Sequence, residues 1–402
     1  MKIIYLANQR LPTEKAYGIQ IAKMCEAFAD YNPDTNKYLK IPDSRIDIEL
    51  VVPYRKNKIK DNFFDYYSVR RNFEFKKIWS PDFYLPGKLD KLAVTVKSFI
   101  SAALLSLYAL QRKKVDIIFS RDEWPIFILS FFRNNLVFEA HRFSWKRRIF
   151  YRRFKKRNIK IVVISRGLKE DFVRFGFPPN NILVAHDGVD LEQFNILDNP
   201  KAYRDELGLP SDKKMIGYVG QLRTLGMEKG VTDLIEAFGE LRKVSNDYVL
   251  AIVGGVEGDI EYYKKLVSRK GLTDHDVIFI GQKEHKLIPK YLKAFDILAI
   301  PFPNNKHYAR YISPLKLFEY MASRRPIVAS DLPSIREILN ESNAVLMKPD
   351  SAESLAEGIK RILQSAELAD KISKRAYQDV QNYTWQKRAG KILEFITQNF
   401  AK

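Results

Sequence analysis

Two charged residues three apart, Lys316 and Glu319, follow a serine–proline pair in the stretch Tyr311-Ile-Ser-Pro-Leu-Lys-Leu-Phe-Glu-Tyr-Met-Ala322. At that spacing they share one face of a helix. Ser313 is a strong N-cap type, and Pro314 suits the first helical position, where no N–H is needed. The next amides, those of Leu315 and Lys316, then lie at the positive end of the helix dipole, where a phosphate binds. Lys316 can supply a cation to that phosphate. Glu319, an acceptor-only carboxylate, can take two hydroxyl donors from a vicinal diol such as a ribose. Leu317, Phe318 and Met321 anchor the helix, and Ile327-Val-Ala reads as a buried strand after it. An ordinary amphipathic helix with a solvated lysine and glutamate has the same spacing, and spacing alone does not separate the two readings.

A second group of polar residues follows apolar runs. Glu139-Ala-His141 comes directly after Leu136 to Phe138, and Ser120-Arg-Asp-Glu123 after Val115 to Phe119. Open α/β sheets bind their ligands at the C-terminal ends of their strands. His141 is therefore a candidate, with Arg121 a second; against this, a lone histidine is more often structural. The elements that would carry them alternate. Ile3 to Ala7, Ile46 to Val52, Ile161 to Ile164 and Ile182 to Ala185 read as further buried strands, separated by helical patterns. Gly18 opens a helix after the first of them, a layout that brings backbone amides near a phosphate or sugar, although a full Gly-x-Gly-x-x-Gly pattern is missing. Residues 55–90 are polar and aromatic. Residues 191–212, with Pro200 and Pro210, read as a connection. Met215 to Val219, Val249 to Gly255 and Val277 to Gly281 then start the alternation again. Asp274-His275-Asp276 matches an Asp-x-Asp pattern but lies in a polar turn before a strand, and reads as surface.

The chain of 402 residues, 46% hydrophobic and 29% charged, is long enough for two globular domains. Its one cysteine, Cys25, excludes an internal disulfide framework and a cysteine-based zinc site. The first residues read as a strand rather than a signal peptide. The apolar stretch Phe99 to Leu110 falls short of a membrane span. A cytoplasmic location is the expectation. Residues 1–190 hold 36 Lys and Arg against 20 Asp and Glu, a net +16 of the total +20. Lys146, Arg147, Arg148, Arg152, Arg153, Lys155, Lys156 and Arg157 crowd into one segment with Lys160, interrupted by Ile149, Phe150, Tyr151 and Phe154. Such a segment suits anionic lipid headgroups or nucleic acid; a solvated helix face is the plain alternative.

The run Ser313-Pro-Leu-Lys-Leu-Phe-Glu-Tyr-Met-Ala322, with Pro326-Ile-Val-Ala-Ser-Asp331 after it, resembles the donor-binding motif of glycosyltransferase family 4. The resemblance implies an α/β chain of the GT-B class: two Rossmann-like parallel-sheet domains facing an interdomain cleft. An acceptor-binding domain would span 1–195 and a nucleotide-sugar-binding domain 196–383, with a helix over 384–402 packing back on the first. His186-Asp-Gly-Val-Asp190 is similar to the family's turn before the linker, with Asp187 where Asn is usual. Gly220-Gln-Leu-Arg-Thr-Leu-Gly-Met-Glu-Lys-Gly230 is similar to its Gly-Arg…Lys-Gly segment, whose cations grip a diphosphate. Lys229 matches directly. Gln221 stands where the arginine belongs, and Arg223 is the candidate substitute. The family's first motif glutamate falls on Tyr311, so only Glu319 remains of the pair. Gly18 and His141 carry over as residues near the reacting sugar.

The resemblance implies retaining, metal-independent transfer from a nucleotide-sugar, a substrate rather than a cofactor, to a saccharide or lipid-linked saccharide in cell-surface polysaccharide assembly. His141, Lys229 and Glu319 are the expected catalytic group. Gly220, Gln221, Arg223, Tyr311, Ser313, Pro314, Leu315 and Lys316 complete the donor site. The basic segment would meet acceptor or the inner membrane face. A non-catalytic polyanion or nucleic-acid binder is the rival from another class, disfavoured because no nucleic-acid module is recognisable. A sugar-nucleotide epimerase on the same scaffold is a second.

Overall fold

The computed structural model describes residues 1–31, 46–87, 89–224 and 226–400. Leu225, within the Gly220–Gly230 loop, and the last two residues of the expected C-terminal helix lie outside the described residues. The chain divides into two compact units, Met1–His186 with Trp385–Lys402, and Asp187–Thr384. The division falls inside the His186–Asp190 turn, ahead of the expected position at 195.

In the first unit seven strands form one parallel sheet: β1 (Lys2–Leu6), β2 (Asp47–Pro53), β3 (Glu74–Ile78), β4 (Ile117–Ser120), β5 (Leu136–Ala140), β6 (Lys160–Val163) and β7 (Ile182–Val184). Their order is β3-β2-β1-β4-β5-β6-β7. β4, β5 and β6 are buried throughout, as strands covered on both faces must be. β3 sits at the edge and is partly solvated, so Glu74, Lys76 and Lys77 give it a polar composition. That is why residues 55–90 do not read as holding a strand.

Four helices of this unit matter below: α1 (Ala16–Ala29), α2 (Leu89–Gln111), α3 (Glu123–Leu129) and α4 (Arg148–Lys156). Lys97 interrupts the apolar run of α2 in sequence. In the fold it is buried, 3.0 Å from Asp82, and the helix runs straight through it. Asp90–Gln111 is thereby long and apolar enough to cross a membrane by length and composition, which corrects the expectation drawn from Phe99–Leu110 alone. Ala93, Ala102, Leu105 and Ala109 face the core; Leu92, Phe99 and Leu107 are exposed. The C-terminal helix, Trp385–Phe400, packs against α1 through buried Ala389, Ile392, Leu393 and Ile396. Each of the larger three contributes about 1.5–3 kcal/mol by leaving water, enough to hold the helix down.

The second unit has six parallel strands: β8 (Lys214–Val219), β11 (Tyr248–Val253), β12 (Val277–Gly281), β13 (Ile297–Ile300), β14 (Ile327–Ser330) and β15 (Val345–Met347). They are ordered β12-β11-β8-β13-β14-β15. Between β8 and β11 a two-residue hairpin, β9 (Arg223–Thr224) and β10 (Met227–Glu228), leads to α5 (Val231–Arg242). Then come α6 (Glu257–Arg269) and α7 (Leu315–Ala322). Each sheet reverses its winding beside its first strand, between β1 and β4 and between β8 and β13. Those reversal points are where such sheets bind ligands.

Candidate functional site

In the second unit α7 begins at Leu315, and Pro314 is its N-cap, with φ −76° and ψ 128°. This corrects the expected cap. The Ser313 hydroxyl does not close the helix but accepts a 2.8 Å bond from the Asp187 amide. Among the described residues no side chain caps α7, and the first amides, of Leu315 and Lys316, have no carbonyl four residues back within the helix. The Tyr320 hydroxyl ties α7 to the end of β8. It accepts from the Val219 amide at 2.7 Å and meets the Val219 carbonyl at 3.3 Å.

That tie sets Lys316 against Gly220. A Cβ on Gly220, whose φ is +139°, would stand 3.0 Å from the lysine Cε and Nζ. The Lys316 side chain is buried, with Nζ 3.7 Å from the centroid of the Tyr218 ring and 5.3 Å from that of Phe302. Among the described residues Nζ has no hydrogen-bond partner. Burial, then the charge of Lys229, pushes its pKa well below the ordinary lysine value against the pull of Glu319. Burial brings Lys229 down to about 8. His307 is lowered too, by burial and by Lys229. Two lysines and a histidine thus share a desolvated corner, with the Glu319 carboxylate pulling against the shift of Lys316.

Glu319 is partly occupied: its Oε1 lies 2.8 Å from His285 Nε2. His285 went unnoticed in the sequence. The signal was available, since His285 follows strand β12 as His141 follows β5. Lys229 is held by its neighbours. The Glu228 carboxylate accepts from the Thr232 amide at 2.6 Å, and Gly230 starts α5 at φ +80°. Tyr311 is buried where the missing glutamate would stand. Gln221 is exposed, and its carbonyl accepts from the Tyr218 hydroxyl.

Arg223 is engaged by a different set of contacts. The inserted hairpin carries it onto α6, where its guanidinium lies 4.5 Å from the Tyr262 ring centroid and 3.8 Å from Asp259.

In the first unit His141 Nε2 lies 2.8 Å from Glu139 Oε1. The same oxygen accepts from Gln20 at 2.7 Å and from Arg388 at 2.8 Å. Arg121 joins by donating to Gln20 at 2.7 Å. Burial alone would raise the Glu139 pKa, but Arg388 and His141 hold it well below the usual carboxylate range. Burial and then Arg121 push His141 down to about 4. Glu139, Gln20 and Arg388 were missed as site residues; each is one polar residue on an otherwise apolar strand or helix face. Gly18 does not open α1 but lies in its first turn. Its amide donates to the Lys15 carbonyl, and a Cβ there would meet the Tyr67 hydroxyl at 2.1 Å.

Within the basic segment Lys146, Arg148, Arg152, Lys155 and Lys156 are exposed and Arg147 is half-buried, 5.6 Å from the Phe150 centroid. Arg153 is spent on Ser130 and the Phe131 ring, and Arg157 on Asn134. Lys160 is buried on β6, bonded to Asn181.

Residues 200–379 match the family described as Glycosyl transferases group 1, and residues 83–193 match Glycosyltransferase Family 4. An uncharacterized glycosyltransferase of Methanocaldococcus jannaschii is 28% identical over 56% of this chain and 56% of its own. A putative teichuronic acid biosynthesis glycosyltransferase of Bacillus subtilis is 27% identical over 55% of this chain and 51% of its own. These alignments span about half the length of the curated relatives. Anabaena HepE, solved in complex with UDP-glucose, superposes with a TM-score of 0.71 at 18% identity, covering 99% of this chain and 100% of its own. At that identity the likeness is one of fold.

Proposed function

The chain belongs to the glycosyltransferases of these two families, with a GT-B fold of two Rossmann-like domains, and on that premise we propose that it moves a sugar, with retention, from a nucleotide-sugar to a saccharide or lipid-linked saccharide. The observation that carries the donor half is the Lys316 side-chain nitrogen, buried beside Lys229 and without a hydrogen-bond partner among the described residues. A buried cation without a partner is costly, and a diphosphate would satisfy it. The α7 amides would complete the cradle, and Glu319, steadied by His285, would take a ribose hydroxyl on its second oxygen. HepE is a protein of this fold solved with such a donor.

In this reading the bond from the anomeric carbon to the diphosphate oxygen breaks as the acceptor oxygen bonds to that carbon from the same face. The acceptor proton passes to the departing diphosphate. Lys316, Lys229 and the α7 amides stabilise the charge that builds there. No protein nucleophile and no metal take part. His141 would orient the sugar.

The acceptor side is read from the first unit. Ring contacts Phe99–Trp124 at 5.2 Å, Trp124–Phe150 at 4.8 Å and Phe127–Phe150 at 5.1 Å put α2 and α4 on either side of α3. Phe99 and Leu107 on α2, Phe132 after α3 and Ile149 on α4 are exposed, as are the cations of α4. This supports attachment to the anionic inner face of a cell membrane, where polysaccharide intermediates are lipid-linked.

Thermal melting with UDP-, GDP- and ADP-sugars tests the donor reading. One of them at a hundredfold excess over its Kd should raise the melting temperature by roughly 2–4 °C or more. Lys316→Met should weaken that donor about 10- to 100-fold, the worth of a charge-assisted contact. Equal affinity in the variant, or no response to any of the three donors, would overturn the reading; isomerised donor without an acceptor would make the chain an epimerase.

A further inference from the structure

A fully buried ion pair in the first unit has no stabilising rationale of its own. Glu139 is 0% exposed and Arg388 3% exposed, inside a largely apolar sheet-and-helix core. Buried pairs seldom add stability over apolar groups of equal volume. This one carries an added cost, because among the described residues Glu139 Oε2 has no hydrogen-bond partner. Oε1, by contrast, is crowded by Gln20, His141 and Arg388.

We infer that Arg388, brought in by the C-terminal helix 249 residues further along the chain, is a positioning residue for His141 and acts through Glu139 to decide which ring nitrogen carries the proton. The geometry runs in three steps. Arg388 Nε donates to the carbonyls of Ala185 at 3.3 Å and His186 at 2.9 Å, which fixes the guanidinium plane. Nη2 is thereby aimed at Glu139 Oε1 and keeps that oxygen anionic. An ionised carboxylate only accepts, so the His141 nitrogen facing it, Nε2, must be the one that bears hydrogen. A neutral ring then has its Nδ1 lone pair left for a hydroxyl donor. Gln20 cannot do this alone. Its amide passes hydrogen bonding from Arg121 to Glu139 without adding charge at Oε1.

Burial and the neighbouring cations favour the neutral ring, and Glu139 itself pulls the other way. Arg121 after β4 and Arg388 disfavour a cationic ring. Tyr5 on β1 and Cys25 on α1 face the carboxylate with their own pKa values raised by burial, so both are uncharged. The consequence for transfer rests on the proposed function, but the ring state itself does not.

The test is a nitrogen-15 NMR titration of the histidine rings of the full-length chain, with His141 assigned by its loss in His141→Gln. In the parent protein the ring should be neutral with hydrogen on Nε2 at pH 6–8. Arg388→Gln should move the His141 midpoint up by at least half a pH unit and mix the two tautomers; Arg388→Lys should restore most of the parent behaviour. If Arg388→Gln does not fold, Glu139→Gln should likewise abolish the Nε2–H preference. In a transfer assay Arg388→Gln should lower kcat with little change in donor KM. An unchanged ring state in a folded variant, or a parent ring with its hydrogen on Nδ1, would overturn the inference. A chain that transfers no sugar but shows the expected ring states would remove only the proposed function.

Discussion

At the scale of single residues, the proposed donor corner stores a proton demand. Lys229 sits at about 8 and Lys316 well below the ordinary lysine value, both chiefly through burial. An anion placed between them favours their charged forms, so binding must take up protons wherever either is partly neutral. Donor affinity should therefore fall as pH rises through 8, by up to about tenfold per unit for each proton taken up. Calorimetry in buffers of different ionisation enthalpy should give a positive proton uptake at pH 8. Zero uptake there would mean that no anion engages these lysines. The unliganded protein responds in the opposite sense. A lysine whose folded pKa is lowered binds fewer protons folded than unfolded above that pKa, so the contribution of Lys229 to stability improves from pH 8 upward. Raising the pH should thus stabilise the free fold locally while loosening its hold on the donor.

At the scale of elements, Lys229 depends on how the chain turns from β10 into α5. Gly226 and Gly230 flank it with nearly equal φ, +77° and +80°. Their surroundings differ. A Cβ on Gly226 meets nothing within 4 Å, whereas one on Gly230 would stand 1.5 Å from the Pro301 carbonyl oxygen. Gly226→Ala should cost only the left-handed strain, about 1 kcal/mol. Gly230→Ala should cost about 3 kcal/mol or more, because backbone must move, and should weaken donor binding by shifting Lys229. Equal urea midpoints for the two variants would show that the turn does not lean on Pro301. This turn also marks how far the sequence could be read. Lys229, Lys316 and Glu319 lie in local motifs, and the strands beneath them are continuous apolar runs, so the fold class and the grouping of these three side chains were legible. The Ser313 cap was misread because its hydroxyl is claimed by Asp187, a contact across 126 residues that no local pattern encodes. Arg388 escaped for the same reason: its partner Glu139 lies 249 residues away. The units repeat one strand order without repeating a sequence, since a parallel sheet asks only for apolar runs between helices.

At the scale of the whole molecule, the charge is lopsided: residues 1–190 hold +16 of the net +20. Exposed Arg148, Arg152 and Lys156 recur at four-residue intervals and so form one stripe on α4, while Phe150, Tyr151 and Phe154 turn inward. Ile149 is exposed on α4 itself, and across α3 from it α2 exposes Leu92, Phe99 and Leu107. Charge alone would serve a nucleic acid as well as a membrane, but an apolar face beside the charge suits a lipid interface and has no use on a phosphate backbone. The protein should float with vesicles containing phosphatidylglycerol and far less with neutral ones, and salt should release only part of it. Each cation near an anionic surface is worth about 1 kcal/mol, so Arg148→Gln, Arg152→Gln and Lys156→Gln together should weaken binding about 100-fold. Leu107→Ser with Phe132→Ser should remove the salt-resistant fraction and leave the charge-driven fraction in place. Equal flotation with neutral and anionic vesicles, or duplex DNA competing the protein off completely at low salt, would assign the stripe to another partner and leave the lipid-linked acceptor without support.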